Sequence, residues 1–266
     1  MIVLKIGGSV VEGLHEDLID DIGRKLDKGS IIVHGGGRLI DSLSSRFGMK
    51  QRVYTSVSGF KTRITDEQTL DLIKMVFAGK INKEVVSALL KHGLKAIGLS
   101  GVDGWLILAK RKNIIKIIDE RGRKIVIHDD LSGRPIKINV NLLKLLISQG
   151  YIPVVAPIGI SENGIILNLD GDRVAARIAG ELGYRKLVIL TDIMGVMVNG
   201  KLVKRIKAEE IDKYIEVTSG GMKKKLFACK EALSLGVREI VIASALRDKP
   251  LERAIRHLEC TVITSE

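Results

Sequence analysis

Residues 1–10, MIVLKIGGSV, decide how the rest of the chain is read. The apolar run from Ile2 to Ile6 is interrupted by one lysine and ended by two glycines. A strand that is apolar on both faces belongs in the middle of a parallel sheet. Lys5 sits where burial disfavours an unpaired charge, so it needs a partner. Gly7 and Gly8 allow close backbone approach and offer N–H groups to an anion. Taken alone, the stretch is equally a buried first strand with a snorkelling lysine and a tight turn. Two later glycine stretches, residues 33–37 and 219–225, tip the reading toward a phosphoryl-transfer site.

Outward from this strand, the apolar periodicity alternates between strand and helix. Leu14, Leu18, Ile22 and Leu26 fall on one helical face, stopped by Gly29. Residues 30–33 read as a second strand, 39–47 as a helix and 50–63 as an irregular basic segment. Thr65 with Gln68 reads as a capping box, with Asp66 and Glu67 suited to a helix N-terminus. The helix it opens runs to His92 with a break at Gly79. After a strand at 96–99, short alternating runs at 105–109, 114–118 and 124–127 flank turns at 111–113 and 121–122. They predict antiparallel ribbons beside the main sheet. Then follow helix 140–148, strands 152–156 and 165–168, helix 170–182, strand 187–190, helices 207–214 and 221–235, strand 240–243, helix 251–257 and strand 261–264. This alternation predicts an α/β fold with a mostly parallel sheet. No linker or repeat divides the chain, so residues 1–266 are expected to form a single domain on one continuous sheet.

Composition narrows the classes. No run of about eighteen apolar residues occurs, so no membrane span is expected, and the N-terminus enters a strand without a signal-peptide pattern. Cys229 and Cys260 lie far apart and make no metal-ligand pattern, which fits reduced thiols in a cytoplasmic protein. Lys plus Arg outnumber Asp plus Glu by 43 to 31, giving a net charge of +12 that points to an acidic partner. Aromatic content is 3%, too low for the stacking platforms of a single-strand binder, so nucleic acid is disfavoured as that partner.

Five constellations carry chemistry. In Val33-His34-Gly35-Gly36-Gly37 a strand runs into three glycines and a helix, aiming bare amides and the positive helix end at a ligand. It is neither a Walker A loop nor GxGxxG, and His34 reads as a structural residue of the turn. In Ser219-Gly220-Gly221-Met222-Lys223-Lys224-Lys225, positive charge in the first helical turn opposes the helix dipole unless an anion sits there. Asn168-Leu169-Asp170-Gly171-Asp172 fails as an EF-hand loop, with Arg173 at its sixth position and Ala179 at its twelfth. Asp172 there would hold two lysines apart and oriented, and Asp170 alone would serve as an N-cap. Arg63, just before a capped helix, could grip a carboxylate through its fork. The loop from Thr191 through Asp192 to Gly195 ends a strand, where open α/β sheets bind ligands.

In order, Lys5-Ile-Gly-Gly, His34-Gly-Gly-Gly, Arg63-Ile-Thr-Asp66, Asn168-x-Asp-x-Asp172, Thr191-Asp-x-x-Gly195 and Gly221-Met-x-x-Lys225 resemble the amino-acid kinase superfamily along almost the whole chain. The nearest branch looks like the acetylglutamate kinases and their relatives, the LysW-linked aminoadipate/glutamate kinases. The resemblance implies a three-layer αβα sandwich and transfer of the ATP γ-phosphate to a side-chain carboxylate. It implies that Lys5 and Lys225 stabilise the transition state and that Asp172 organises them. By the same carry-over Gly36, Gly37, Arg63 and Asn168 bind the acyl-amino acid. Gly7 and Gly8 hold phosphate, and Asp192, Gly195 and Gly221 hold ATP with Mg²⁺. Residues 1–165 are then the acceptor and carrier lobe, residues 166–266 the ATP lobe, and the enzyme a cytoplasmic homodimer.

Ser58-Gly-Phe-Lys-Thr-Arg63 looks like the LysW-linked form rather than the shorter acetylglutamate form. That branch implies an acceptor joined to the C-terminus of LysW, a small acidic carrier protein, in lysine and arginine biosynthesis. Lys50, Arg52, Lys61 and the basic ribbon between Lys110 and Lys124 would face that carrier. Lys61 stands where the family pattern has arginine, keeping the charge but losing the fork. Free N-acetylglutamate is the alternative acceptor. The triple glycine continues Arg38-Leu39-Ile40-Asp41, unlike isopentenyl phosphate kinases. A reading from another class is a non-catalytic sensor or nucleic-acid binder on the same fold. Retention of Lys5, Asp172 and Lys225 together argues against it.

Overall fold

The computed structural model describes residues 1–11, 16–56, 61–118 and 123–265, with Thr55, Ser56, Lys61 and Thr62 by backbone alone. Leu14, His15, the Ser58-Gly59-Phe60 motif, the Lys61 side chain and the turn at 121–122 lie outside the described residues. The first strand is Val3–Ile6, and every one of its residues is buried. It pairs in parallel with Ile31–His34 on one side and Lys186–Thr191 on the other, which makes it central. Across the eight-stranded sheet the order is Arg205–Lys207, Thr261–Thr264, Glu239–Ser244, Lys186–Thr191, Val3–Ile6, Ile31–His34, Ile152–Ala156 and Ala96–Ser100. The six strands from Glu239–Ser244 to Ala96–Ser100 are parallel; Thr261–Thr264 runs against its neighbour and carries Arg205–Lys207 with it.

Alternation along the first strand sends its side chains to opposite faces. Leu4 and Ile6 join a core packed by Glu16–Lys25, Gly37–Arg46, Asn82–Lys91 and Pro250–Ile255. Val3 joins a second core packed by Val140–Ser148, Gly171–Glu181, Ile211–Val217 and Gly220–Ser234. Helices on both faces of the sheet give a three-layer αβα sandwich. Lys5 shares the Val3 side, toward the helix Gly171–Glu181. Among the described residues, no helix is long and apolar enough to cross a membrane.

Two four-stranded sheets and a two-stranded ribbon accompany the sandwich, and here the sequence reading needs correction. The 105–127 stretch is not one ribbon. Ile107–Arg111 pairs with Gly133–Ile138 and Ile158–Ile160, whereas Ile115–Ile118 pairs with Lys124–Ile127 and Val53–Ser56. Within the described part of residues 50–63, Val53–Ser56 and Lys61–Arg63 form antiparallel strands where the sequence suggested irregular structure. Their apolar face is supplied from elsewhere, by Ile115, Ile117 and Ile127 against Tyr54 and Ile64, so local alternation is weak. The capping box is also displaced. Asp66, not Thr65, caps the helix by accepting from the Thr69 N–H at 2.9 Å, and Thr65 is buried. Finally, the long helix does not break at Gly79; Lys74–Ile81 continues it as a π-helix.

Candidate active site

Three loops leave the carboxyl ends of adjacent parallel strands at one level, because Ile6 is in register with both His34 and Leu190. They begin at Gly7, Gly35 and Asp192. The first two press together: a Cβ on Gly8 would lie 2.6 Å from Gly36 N and 2.8 Å from Gly37 N, and one on Gly35 would lie 2.6 Å from Gly8 N. Glycine is required at this crossing because backbone meets backbone. The Gly7 amide is not free for an anion, since it donates to Leu190 O at 2.8 Å and extends the sheet. The third loop is tied across the site by Arg38, which donates to Asp192 Oδ2 at 2.8 Å.

Behind the glycines lies a buried charge cluster. Lys5 Nζ is 2.7 Å from Asp172 Oδ1, and Lys225 Nζ is 2.8 Å from Asp172 Oδ2. Lys5 and Asp172 are each 6% exposed. Asp172 is placed by the first turn of Gly171–Glu181, whose N-cap Asp170 accepts from the Asp172 and Arg173 amides at 2.9 and 3.1 Å. Lys225 arrives from the first turns of Gly220–Ser234, packed alongside. That helix opens at Gly220 with φ +56°, so the left-handed start falls on Gly220; a Cβ on Gly221 would meet nothing within 4 Å. Burial alone would push the Asp172 carboxyl up, but the ammonium groups of Lys5 and then Lys225 outweigh it and hold it well below the carboxylate range. Burial also dominates at Lys5 and pulls it below the usual lysine value despite Asp172. At Lys225 burial is outweighed by Asp172, and its value rises. Two ammoniums share one carboxylate, so when all are charged the cluster carries one uncompensated positive charge, set to attract an anion.

The cluster opens on a cavity of about 680 Å³. Of the residues expected at the site, Lys5, Gly8, Gly36, Gly37, Arg63, Asn168 and Asp172 line it; Gly7, Asp192, Gly195, Gly221 and Lys225 do not. Arg63 is anchored through one terminal nitrogen to Asp41, while its buried Nε has no hydrogen-bond partner among the described residues. Asn168 Nδ2 donates to Thr65 Oγ1 at 3.1 Å. Gly195 packs on the last strand, where a Cβ would come within 2.5 Å of Thr261 Oγ1. The cavity also takes Phe77, Lys112, Ser132 and Arg173, which the sequence reading did not single out. Arg173 Nε donates to Glu231 Oε2 at 2.8 Å, joining the two helices that carry Asp172 and Lys225. Ser132 is held by buried Asp130, whose other oxygen accepts from Thr65 N at 2.8 Å. Lys112 and Ser132 stand alone between strands, and Phe77 and Arg173 sit singly on their helices, so no periodic signal marked them.

Comparison with known proteins places this geometry. The amino acid kinase family matches residues 1–244. A LysW-aminoadipate/LysW-glutamate kinase of Saccharolobus islandicus (strain L.S.2.15 / Lassen #1) is 37% identical over 266 residues, covering 100% of both chains. A provisionally named kinase of the same description from Cenarchaeum symbiosum (strain A) is 43% identical over 263 residues, covering 99% of both. Among solved structures, an N-acetylglutamate synthase from Neisseria gonorrhoeae complexed with coenzyme A and N-acetyl-glutamate shares the fold at TM-score 0.81 and 24% identity, over 100% of this chain and 59% of that one. An isopentenyl phosphate kinase shares it at TM-score 0.63 and 19% identity, over 99% of this chain and 100% of that one.

Proposed function

The chain belongs to the amino acid kinase family, and from that premise we propose that it transfers the ATP γ-phosphoryl group to the side-chain carboxylate of LysW-bound 2-aminoadipate, and of LysW-bound glutamate, in lysine and arginine biosynthesis. The observation that carries this reading is the Lys5–Asp172–Lys225 cluster, set against two interlocked glycine loops at one cavity. The named relatives supply the carrier, and a net charge of +12 suits an acidic one.

The acceptor carboxylate is ionised at neutral pH, so the reaction needs no general base. One carboxylate oxygen bonds to the γ-phosphorus, the bond to the bridging β–γ oxygen breaks, and ADP departs with that electron pair. What the protein must do is bring two anions into line and spread charge over the transferring group. Lys5 and Lys225 supply positive charge, and Asp172 fixes both ammoniums without neutralising the pair. Amides of Gly8, Gly36 and Gly37 face the transferring phosphoryl. Arg63 Nε and Asn168 hold the acceptor. The nucleotide lies over residues 166–266, against the loop of Asp192 and Gly195 and the start of Gly220–Ser234; the acceptor and its carrier lie over residues 1–165. Among the described residues no cluster of three His, Cys, Asp or Glu side chains is placed to hold a metal; Mg²⁺ carried by the phosphates of ATP would offset their charge.

The test is acyl-phosphate formation with Mg-ATP, trapped as the hydroxamate, using LysW-linked aminoadipate, LysW-linked glutamate and free N-acetylglutamate side by side. Turnover confined to the carrier-linked acceptors is expected. Turnover with free N-acetylglutamate alone would overturn the carrier, and none with any acceptor would overturn the kinase.

A further inference from the structure

The π-helix Lys74–Ile81 lies directly behind the glycine loop, and its geometry has a definite effect there. A π-helix closes i→i−5 hydrogen bonds, and the Asn82 N–H that ends this one bonds to Phe77 O. Phe77 and Asn82 are thereby stacked on one face, and both touch His34. The Phe77 ring meets the imidazole edge-on at 6.3 Å between centroids. Asn82 Nδ2 lies 3.3 Å from His34 Nε2 and donates to Val154 O at 2.9 Å. Two glycines make room for this wedge. A Cβ on Gly98 would come 1.9 Å from Asn82 Oδ1, and one on Gly36 would come 2.3 Å from Ile81 Cδ1 and 2.8 Å from Phe77 Cε1. His34 and Asn82 are 0% and 1% exposed.

The two partners of His34 fix its tautomer. The Gly35 carbonyl, 3.0 Å from Nδ1, can only accept, so Nδ1 carries the proton. Nε2 is then the acceptor, and the Asn82 amide supplies its donor. We propose that Asn82, set in place by the π-helix, is a positioning residue for phosphoryl transfer: it holds His34 in the Nδ1–H tautomer, and Nδ1–H holds the Gly35 carbonyl that orients the Gly36 and Gly37 amides at the cavity. This rests on the kinase reading only where turnover is measured. The tautomer is a property of the folded chain alone.

The test uses the full chain, Asn82→Leu, which keeps the branching of the side chain and removes both donors, and Asn82→Asp, which keeps the shape. In the unaltered protein, the ¹⁵N shifts of the His34 ring should show a protonated Nδ1 and a bare Nε2. Asn82→Asp should lose that signature by drawing a proton onto Nε2, Asn82→Leu should shift the Nε2 resonance by stripping its hydrogen bond, and in both kcat should fall about 100-fold, the cost of a misplacement of about 1 Å. KM for ATP and for LysW-linked aminoadipate should stay within about threefold, because the amides act on the transferring group rather than on bound reactants. A protonated Nε2 in the unaltered protein overturns the proposal even if neither variant folds. So does a folded variant with unchanged kcat, or one in which KM rises and kcat does not fall. Absence of turnover in the unaltered protein would instead overturn the kinase reading and leave the tautomer result standing.

Discussion

Replacing Asp172 by asparagine keeps its shape and removes the one negative charge between two ammoniums held 2.7 and 2.8 Å away. At an effective dielectric constant of about 20, each contact is worth about 6 kcal/mol of attraction. Most of that offsets the desolvation of three charges, and breaking such a cluster by removing one partner costs about 3–5 kcal/mol. For a chain of this size, about 2–4 °C is lost per kcal/mol, so Asp172→Asn should melt some 6–20 °C lower. Without Asp172, the two ammoniums repel and Lys5, already lowered by burial, falls further. Hydroxamate formation should drop by about 10²–10³-fold, on the scale of losing preorganised charge stabilisation. The residual rate should rise as pH is lowered from 9 to 6, since that restores the Lys5 proton. Lys5→Met on the Asp172→Asn background should regain stability over Asp172→Asn alone, because it removes the repulsion. An Asp172→Asn protein with kcat within about threefold and a melting temperature within about 2 °C of the parent would refute the account of this cluster.

Other outcomes follow from the same geometry. Gly8→Ala forces a Cβ into the Gly36 and Gly37 backbone and should cost about 1–3 kcal/mol by thermal melting, with turnover lost. Gly221→Ala meets open space and should raise the melting point slightly, as helical alanine does. Arg63→Lys keeps the charge and loses the fork, so KM for the acceptor should rise about 10-fold or more while KM for ATP holds. Burial pushes His34 down from 6.5 to about 4, with Lys5 also lowering it against the Gly35 bond. The unfolded chain therefore binds the extra proton first, and the stability from neutral His34 is full above pH 6.5 and lost as pH falls toward 4. Denaturant midpoints at pH 7 and 5 should converge in His34→Gln relative to the parent. Cys229 and Cys260 are buried, and burial pushes Cys260 up to about 11, so a thiol reagent at pH 8 should label neither until the chain is unfolded.

Much of the site was legible because it is written in residue types with few other uses. A lysine inside an apolar strand demands a carboxylate, and glycines after strands demand close backbone approach. Lys5, Asp172 and Lys225 could therefore be singled out before their distances were known. The α/β class and its mostly parallel sheet followed from strand and helix periods on long segments, and the three-layer sandwich from the family resemblance. What stayed hidden depends on tertiary partners. Val53–Ser56 alternates too briefly to read as a strand until Ile115 and Ile117 cover it. The Asp66 cap and the Thr65 cap differ by one residue, and only the Asp130 carboxylate waiting for Thr65 N separates them. The π-helix has no periodic signature in eight residues; the residue that its Phe77 and the following Asn82 meet, His34, lies far back in the chain. Gly36 and Gly98 were signals of it, readable only once Ile81, Phe77 and Asn82 are seen beside them.

The central position of the first strand also sets a clock for the chain's birth. Val3 pairs early with Ile31, but its other edge waits for Leu187. At about 5–20 residues per second, that edge stays open on the ribosome for roughly 10–40 s. During that interval the central strand of the sheet, buried on both faces in the finished protein, offers a bare row of amides and carbonyls to any other extended chain. Long-range parallel pairing of this kind folds slowly, so the strand that anchors the finished enzyme is also exposed to aggregation while it is made.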